Sequence, residues 1–383
     1  MSIFLTPPPL SLYVHFPWCI RKCPYCDFNS HELKSSLPEQ DYINALIRDL
    51  EQDLPRVWGR RVQTVYMGGG TPSLFSPTAI AQLLSDLRAR LTIAPDAEIT
   101  LEANPGTVDI ERFQGFKEAG INRLSIGIQS FNNEHLQALG RIHSGDEARR
   151  AVQAAQYAGF ERINLDLMFG LPNQTLEQAR ADLATAIELE PGHLSLYQLT
   201  IEPNTLFHAR PPVLPDDDSL WDMQQALQQQ LAGAGHEQYE VSAYAQAGQQ
   251  SRHNLNYWQF GDYLGIGAGA HAKLSDHEGI GRLWKIKHPH KYLEHAGSKQ
   301  GIGGESILNP NDVSLEFMMN ALRLSEGVPT ALFPERAGQP LSKVSVALEK
   351  AETLALIEWD VRHIKPTVRG RRYLNDLLQL FMS

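Results

Sequence analysis

From Ser11 onward, short runs rich in β-branched and aromatic residues alternate with longer segments whose apolar residues recur every three or four positions. The runs Leu12 to Phe16, Gln63 to Met67, Glu98 to Glu102, Arg123 to Gly127, Arg162 to Met168 and Leu194 to Leu199 predict strands. Between them, Ala79 to Leu91 carries Ile80, Leu83, Leu84, Leu87 and Leu91 at helical spacing, and Leu176 to Leu189 repeats the pattern behind Thr175, an N-cap residue type. Strand then helix, repeated, predicts an α/β fold with a parallel sheet and helices outside it. Six repeats fall short of the eight that close a TIM barrel, so the expected architecture is an open, partial (βα)6 TIM-like barrel. Its helical stripes read as core against the sheet.

After Pro203 the pattern changes. Arg210 to Asp218, RPPVLPDDD, reads as a Pro-rich connector whose acids sit at the start of a helix over Ser219 to Leu231, where negative charge complements the helix dipole. The segment Ser251 to Trp258, SRHNLNYW, precedes a glycine-rich stretch, Gly261 to His271. No βαβ unit with a suitable acid follows, so a dinucleotide loop is rejected and the glycines are expected at tight turns or at close approach to a bound ligand. Helices over Asp312 to Leu324 and Leu341 to Thr353, β runs at Leu356 to Trp359 and His363 to Pro366, and a final helix ending at Met382 resemble a winged helix. The expected division is 1–210 barrel, 211–309 connector with the SRHNLNYW segment, and 310–383 winged-helix-like domain. Arg362, Lys365, Arg369, Arg371 and Arg372 make the last unit basic. Without a basic recognition helix it reads as a lid for protein or substrate rather than a DNA reader.

A formal charge of -10 and a pI near 5.8 over 383 residues argue against a protein that holds nucleic acid through its general field. Met1 to Pro9 shows no signal peptide, and no run of 18 apolar residues occurs, so a cytoplasmic protein that is not an integral membrane protein is expected.

All three cysteines, Cys19, Cys23 and Cys26, fall in one loop after the first predicted strand, in a CxxxCxYC spacing. An odd count argues against a disulfide framework. Three thiolates are one short of the four that usually hold a cubane, so a 4Fe-4S cluster here leaves one iron open to an outside ligand. Zinc, with His15 or His31 as fourth ligand, and a redox pair are the competing readings. The cysteine loop shares one face of the barrel with Gly68 to Pro72, Glu102 to Pro105, Gln129 and Asp166, because all follow strand ends.

CxxxCxYC is also the signature of the radical S-adenosylmethionine (SAM) enzymes. With it stand GGGTPS at Gly68 to Ser73, LEANPG at Leu101 to Gly106, RLSIGIQSF at Arg123 to Phe131, LGRIH at Leu139 to His143 and NLDLMFGLPNQT at Asn164 to Thr175. Together they resemble the coproporphyrinogen dehydrogenase family in its broad sense, and within it the heme-chaperone branch, along essentially the whole chain. The resemblance implies a 4Fe-4S cluster on Cys19, Cys23 and Cys26, with SAM chelating its open iron and cleaved by its electron to a 5'-deoxyadenosyl radical. It implies SAM contacts at Tyr13, Gly69, Gly70, Thr71, Glu102, Gln129, Arg141 and Asp166. Two departures separate this chain from the true dehydrogenase. That enzyme carries a further cysteine two residues beyond the third ligand, where this chain has Phe28, and a long N-terminal extension, where only 11 residues precede the first predicted strand. The heme-chaperone branch carries an HNxxYW motif, here His253, Asn254, Tyr257 and Trp258 around Leu255 and Asn256. It implies heme with His253 as axial ligand and Tyr257 and Trp258 as packing wall. No catalytic residue is assigned. The partners implied are apo-hemoproteins, membrane respiratory enzymes among them, and a cluster-dependent homodimer. The alternative is oxygen-independent decarboxylation of coproporphyrinogen III.

Overall fold

The computed structural model describes Phe4 and residues 6–382. Six parallel strands lie side by side in chain order: β1 (Leu10–Phe16), β2 (Arg61–Gly69), β3 (Thr92–Ala103), β4 (Arg123–Gln129), β5 (Ile163–Phe169) and β6 (His193–Gln198). The order is that of a partial barrel, and the sheet stays open. Alternation decides what each face carries. Leu12, Val14, Val65, Met67 and Leu101 belong to the main hydrophobic core. The residues between them are polar and bond across the strands, as Thr64 does to Ser11 at 2.8 Å and Asn164 to Ser125 at 2.8 Å. The sheet therefore has a greasy outside under helices and a polar inside.

Crossover helices include α1 (Glu39–Asp53), α2 (Pro77–Arg90), α3 (Ile110–Ala119), α4 (Gly145–Tyr157) and α5 (Leu176–Glu188). Ile80, Leu83, Leu84 and Leu87 of α2 are fully buried, as their spacing predicts. Thr175 caps α5 in a reciprocal box with Gln178, and Asp216 caps α6 (Asp217–Gly233) by accepting from Ser219 N–H at 2.8 Å.

The sheet is wider than the sequence pattern announces. It has 12 strands. Beyond β6 lie β7 (Glu237–Glu240) and β8 (Ala243–Ala245), antiparallel. Beyond β1 lie β9 (Asp262–Ile266), parallel to it, then antiparallel β10 (His271–Ser275), β11 (Ile280–Lys285) and β12 (Ile302–Ile307). Buried ion pairs pin this extension: Lys285 reaches Asp49 at 2.6 Å and Asp53 at 2.5 Å on α1, and Lys273 meets Asp262 at 3.0 Å. Either lysine displaced from its carboxylate would be an uncompensated buried charge, so the pairs hold the register.

In the glycine-rich stretch, Gly267 and Gly269 hold the positive φ that a tight turn needs, +110° and +77°. A Cβ on Gly265 would stand 2.0 Å from the His271 carbonyl oxygen, and one on Gly267, at φ +110°, would stand 2.4 Å from that of His15. At both positions glycine lets backbone pack on backbone.

The C-terminal unit contains α8 (Pro310–Ala321), α9 (Leu332–Ala337) and α10 (Ser345–Thr353) with a three-stranded antiparallel sheet, β13 (Val328–Pro329), β15 (His363–Pro366) and β14 (Ile357–Trp359), in that spatial order. It has its own core around Phe317, Phe333, Leu348 and Ile364, which also takes in Phe260. Among the described residues no helix is long and apolar enough to cross a membrane.

Candidate functional site

The loop after β1 opens with Trp18–Cys19 paired to His31–Glu32, then turns so that Cys26 N–H donates to the Cys23 carbonyl at 3.2 Å. All three cysteines are free and half-buried. Each has a polar neighbour: Thr71 Oγ1 donates to Cys19 Sγ at 3.4 Å, Arg141 donates to Cys23 Sγ at 3.7 Å, and Cys26 Sγ lies 3.5 Å from Ser30 Oγ. Burial pushes the Cys19 thiol up to about 11, against the Thr71 hydrogen bond that lowers it. A bound metal supplies what is missing, because ligation stabilises the thiolate.

The donor set suits a cubane better than a single zinc ion. His15 lies with Nε2 2.9 Å from the Asn29 carbonyl and Nδ1 3.1 Å from Tyr13 Oη, and His31 Nε2 lies 3.1 Å from Asn29 Oδ1. Both histidines are thus engaged. Among the described residues no three His, Cys, Asp or Glu side chains gather as ligands of one ion. A cubane asks each thiolate for a separate iron, so its sulfurs stand further apart.

The cysteines face a cavity of about 400 Å³. Its wall includes Gly69, Gly70, Thr71, Glu102, Gln129, Arg141 and Asp166, drawn from β2 to β5 and the loops beyond them. The sheet thereby brings together ten residues that lie up to 147 positions apart, from Cys19 to Asp166. Gly69 holds φ +111°, and a Cβ there would meet the His15 ring at 2.4 Å. Gln129 holds φ +71° at a β-bulge, a left-handed backbone that a non-glycine residue keeps only at a cost.

The acids are deep. Glu102 accepts from Tyr66 Oη at 2.8 Å and from Gly69 N–H at 3.1 Å, yet burial raises it from 4.5 to about 7. Asp166 accepts from Asn164 at 2.8 Å and Ser125 at 3.2 Å and is also raised by burial. Arg141 donates to the Gly127 carbonyl at 2.6 Å, while its buried Nε has no partner. Two acceptors for hydroxyl or ammonium donors and one guanidinium for a carboxylate fit an amino-acid nucleoside such as SAM.

Tyr13 is not on this wall. It lies against His15, with its ring 6.3 Å from Tyr66. Tyr66, Ser125, Asn104, Met168 and Tyr197 line the cavity without having been singled out. For Tyr66 a signal existed: strand alternation puts it on the same face as Thr64.

The HNxxYW residues stand apart from the cavity, on α7 (Arg252–Trp258). Ser251 caps the helix, accepting from Asn254 N–H at 3.3 Å. Glu98 of β3 accepts from Arg252 N–H at 3.1 Å and His253 N–H at 3.0 Å, so a buried carboxylate holds the positive end of the helix inside the sheet. His253 Nδ1 lies 2.8 Å from Thr64 Oγ1, and its ring lies 5.0 Å from that of Tyr66. Thr64 gives its own proton to Ser11 at 2.8 Å, so its oxygen accepts from His253 Nδ1–H. Nε2 is then left with the lone pair. Burial holds the ring neutral, with its pKa lowered to about 4.

The rest of the motif ties elements together. Asn256, also missed, donates to Ser11 at 2.8 Å and to the Asp262 carbonyl at 3.0 Å. Tyr257 lies 4.9 Å from Trp258 and 5.2 Å from Tyr263, and the Arg323 guanidinium sits 4.3 Å over Trp258. Tyr257 and Trp258 turn toward β9 and the C-terminal unit, whereas His253 turns toward β2.

Comparison with known proteins identifies the family and the fold. Residues 13–186 match the model of the radical SAM superfamily, and residues 308–373 that of the HemN C-terminal domain. The chain is 50% identical to heme chaperone HemW of Escherichia coli over 98% of this chain and 99% of that protein. It is 52% identical to heme chaperone HemW of Haemophilus influenzae, over 98% of each chain. Coproporphyrinogen III oxidase (HemN) of Escherichia coli, a radical SAM enzyme of solved structure, aligns with a TM-score of 0.83 at 23% identity, over 98% of this chain and 91% of that one, and so shares the fold.

Proposed function

Since the chain belongs to the heme chaperone HemW family within the radical SAM superfamily, we propose that it binds heme and passes it to apo-hemoproteins, membrane respiratory enzymes among them. Cys19, Cys23 and Cys26 would hold a 4Fe-4S cluster. Gly69, Gly70, Thr71, Glu102, Gln129, Arg141 and Asp166 would hold SAM beside it, with Tyr13 supporting from beneath. Bound together, these groups supply one-electron chemistry that no side chain of the protein offers. The protein's own contribution is a buried, water-poor wall that orients an ammonium, a carboxylate and a ribose.

Heme belongs at the HNxxYW helix in this reading, and the observation that carries it is the state of His253. A neutral imidazole with Nδ1–H committed to Thr64 and a lone pair on Nε2 is the form an iron ligand needs. Tyr257 and Trp258 offer aromatic faces on the same helix, and Asn254 lies beside the histidine.

The test is an anaerobic optical titration of cluster-reconstituted protein with heme. One heme per chain is expected, with the affinity falling at least about tenfold in His253→Ala and less in Tyr257→Ala. Unchanged affinity in both variants would remove the site. A parallel arm with coproporphyrinogen III, SAM and reductant examines the alternative that the intact cavity favours, oxidative decarboxylation; no protoporphyrinogen IX is expected. The reading further places the chain in the cytoplasm as a cluster-dependent homodimer with residues 310–383 as a lid, and light scattering before and after cluster reconstitution reads the dimer.

A further inference from the structure

Two lines of contact run from the acids of the cavity to the helix that carries His253. The first is short. Glu102 accepts from Tyr66 Oη at 2.8 Å, and the same ring lies against the His253 imidazole, with centroids 5.0 Å apart and planes 32° apart. The second passes through the polar interior with its proton order set. Asn164 donates to Asp166 Oδ1 at 2.8 Å, so its Oδ1 accepts from His193 Nδ1–H at 2.6 Å. Burial keeps His193 neutral, its pKa well below the ordinary value, so Nε2 accepts from Tyr239 O–H at 2.8 Å. The Tyr239 oxygen then accepts from Ser251 N–H, at the N-cap of α7, at 3.3 Å. Both cavity carboxylates are thus joined to α7, one to its histidine ring and one to its first turn.

We propose that Tyr66 is a positioning residue that couples occupancy of the cavity to the heme affinity of His253. The inference rests on the heme reading above. A ligand whose hydroxyl or ammonium groups donate to Glu102 favours the ionised carboxylate. The bond from Tyr66 Oη then becomes charge-assisted and stronger. A more firmly held Tyr66 seats its ring on His253 and orders the imidazole before iron arrives. SAM in the cavity therefore tightens heme at α7. Reciprocity requires heme to tighten SAM by the same factor.

Tyr66→Phe keeps the ring against His253 and deletes only the bond to Glu102. Heme affinity is measured with and without SAM in wild type and in this variant, and the ratio is compared so that a general loss of either affinity cancels. Wild type is expected to gain at least about fivefold, with the ratio falling to near one in Tyr66→Phe. A wild-type ratio at or below one, or a ratio retained in Tyr66→Phe, overturns the proposal. A second readout needs no heme. In wild-type protein labelled with 15N-histidine, with His253 assigned through His253→Gln, SAM should shift the His253 ring nitrogens while the exposed His277 stays unmoved. Unshifted His253 nitrogens in SAM-saturated protein also overturn it. Loss of heme binding by wild type itself would instead condemn the heme reading, and the nitrogen shifts would still decide whether cavity and helix are coupled.

Discussion

Glu102 departs from what its letter promises, because burial pushes its carboxyl up to about 7. Burial penalises the ionised form more than its hydrogen bonds from Tyr66 and Gly69 favour it. The native state therefore keeps this proton between about pH 4.5 and pH 7, where the unfolded chain has released it. Its contribution to stability is complete below 4.5 and is lost as pH rises through 7. Glu102→Gln, which keeps a neutral polar group, should gain on wild type by about 2 to 4 °C in Tm between pH 5 and pH 8. Melting curves at matched ionic strength check this, and a difference that stays flat with pH would show an ordinary carboxyl. That Glu102 belongs to the site was legible from its place at a strand end. Its raised pKa was not, because it depends on burial, and on the nearby Asp166 carboxylate, which only the folded chain supplies.

The barrel strands were legible because each is a compact β-rich run bounded by loops, and because the polar and glycine signals sit together at their ends. Strands β7 to β12 escaped notice for a physical reason. They are short and interrupted by polar residues such as Lys273 and Lys285, whose burial rests on carboxylates more than 200 positions away in the case of Asp49 and Asp53. Helix α7 shows the same limit. Its motif was visible, but its anchor, Glu98, lies 155 positions before His253. Removing that carboxylate orphans the first N–H groups of α7 and leaves Arg162 without its ion-pair partner at 3.1 Å. Glu98→Ala should cost about 3 kcal/mol, and amide exchange should quicken first at Arg252 and His253. Exchange that quickens evenly across the sheet would mean α7 is held by something else.

At the scale of the whole molecule, two hydrophobic cores share one connector. Phe260 follows α7 directly, holds φ +59°, and is fully buried in the C-terminal core 5.6 Å from Phe317. A left-handed phenylalanine is a strained choice, kept because its ring fills that core and lies 4.2 Å from the Lys273 ammonium that pins β10. Arg336 reaches from α9 to the Gln259 carbonyl at 2.9 Å, and Arg282 of β11 pairs with Glu316 of α8. The same few residues that end the HNxxYW helix thus lock the C-terminal unit to the sheet extension. Damage to the second core should therefore travel into the first. Phe317→Ala, which removes a side chain of 0% exposure packed between Phe260 and Phe333, is expected to cost about 3 to 5 kcal/mol. Scanning calorimetry should still show one transition, moved down by several degrees, with α7 amides losing protection in step with those of α8. If the C-terminal unit melted separately while the barrel kept its wild-type midpoint, Phe260 would be a passive filler rather than a latch, and damage to the C-terminal core would leave His253 undisturbed.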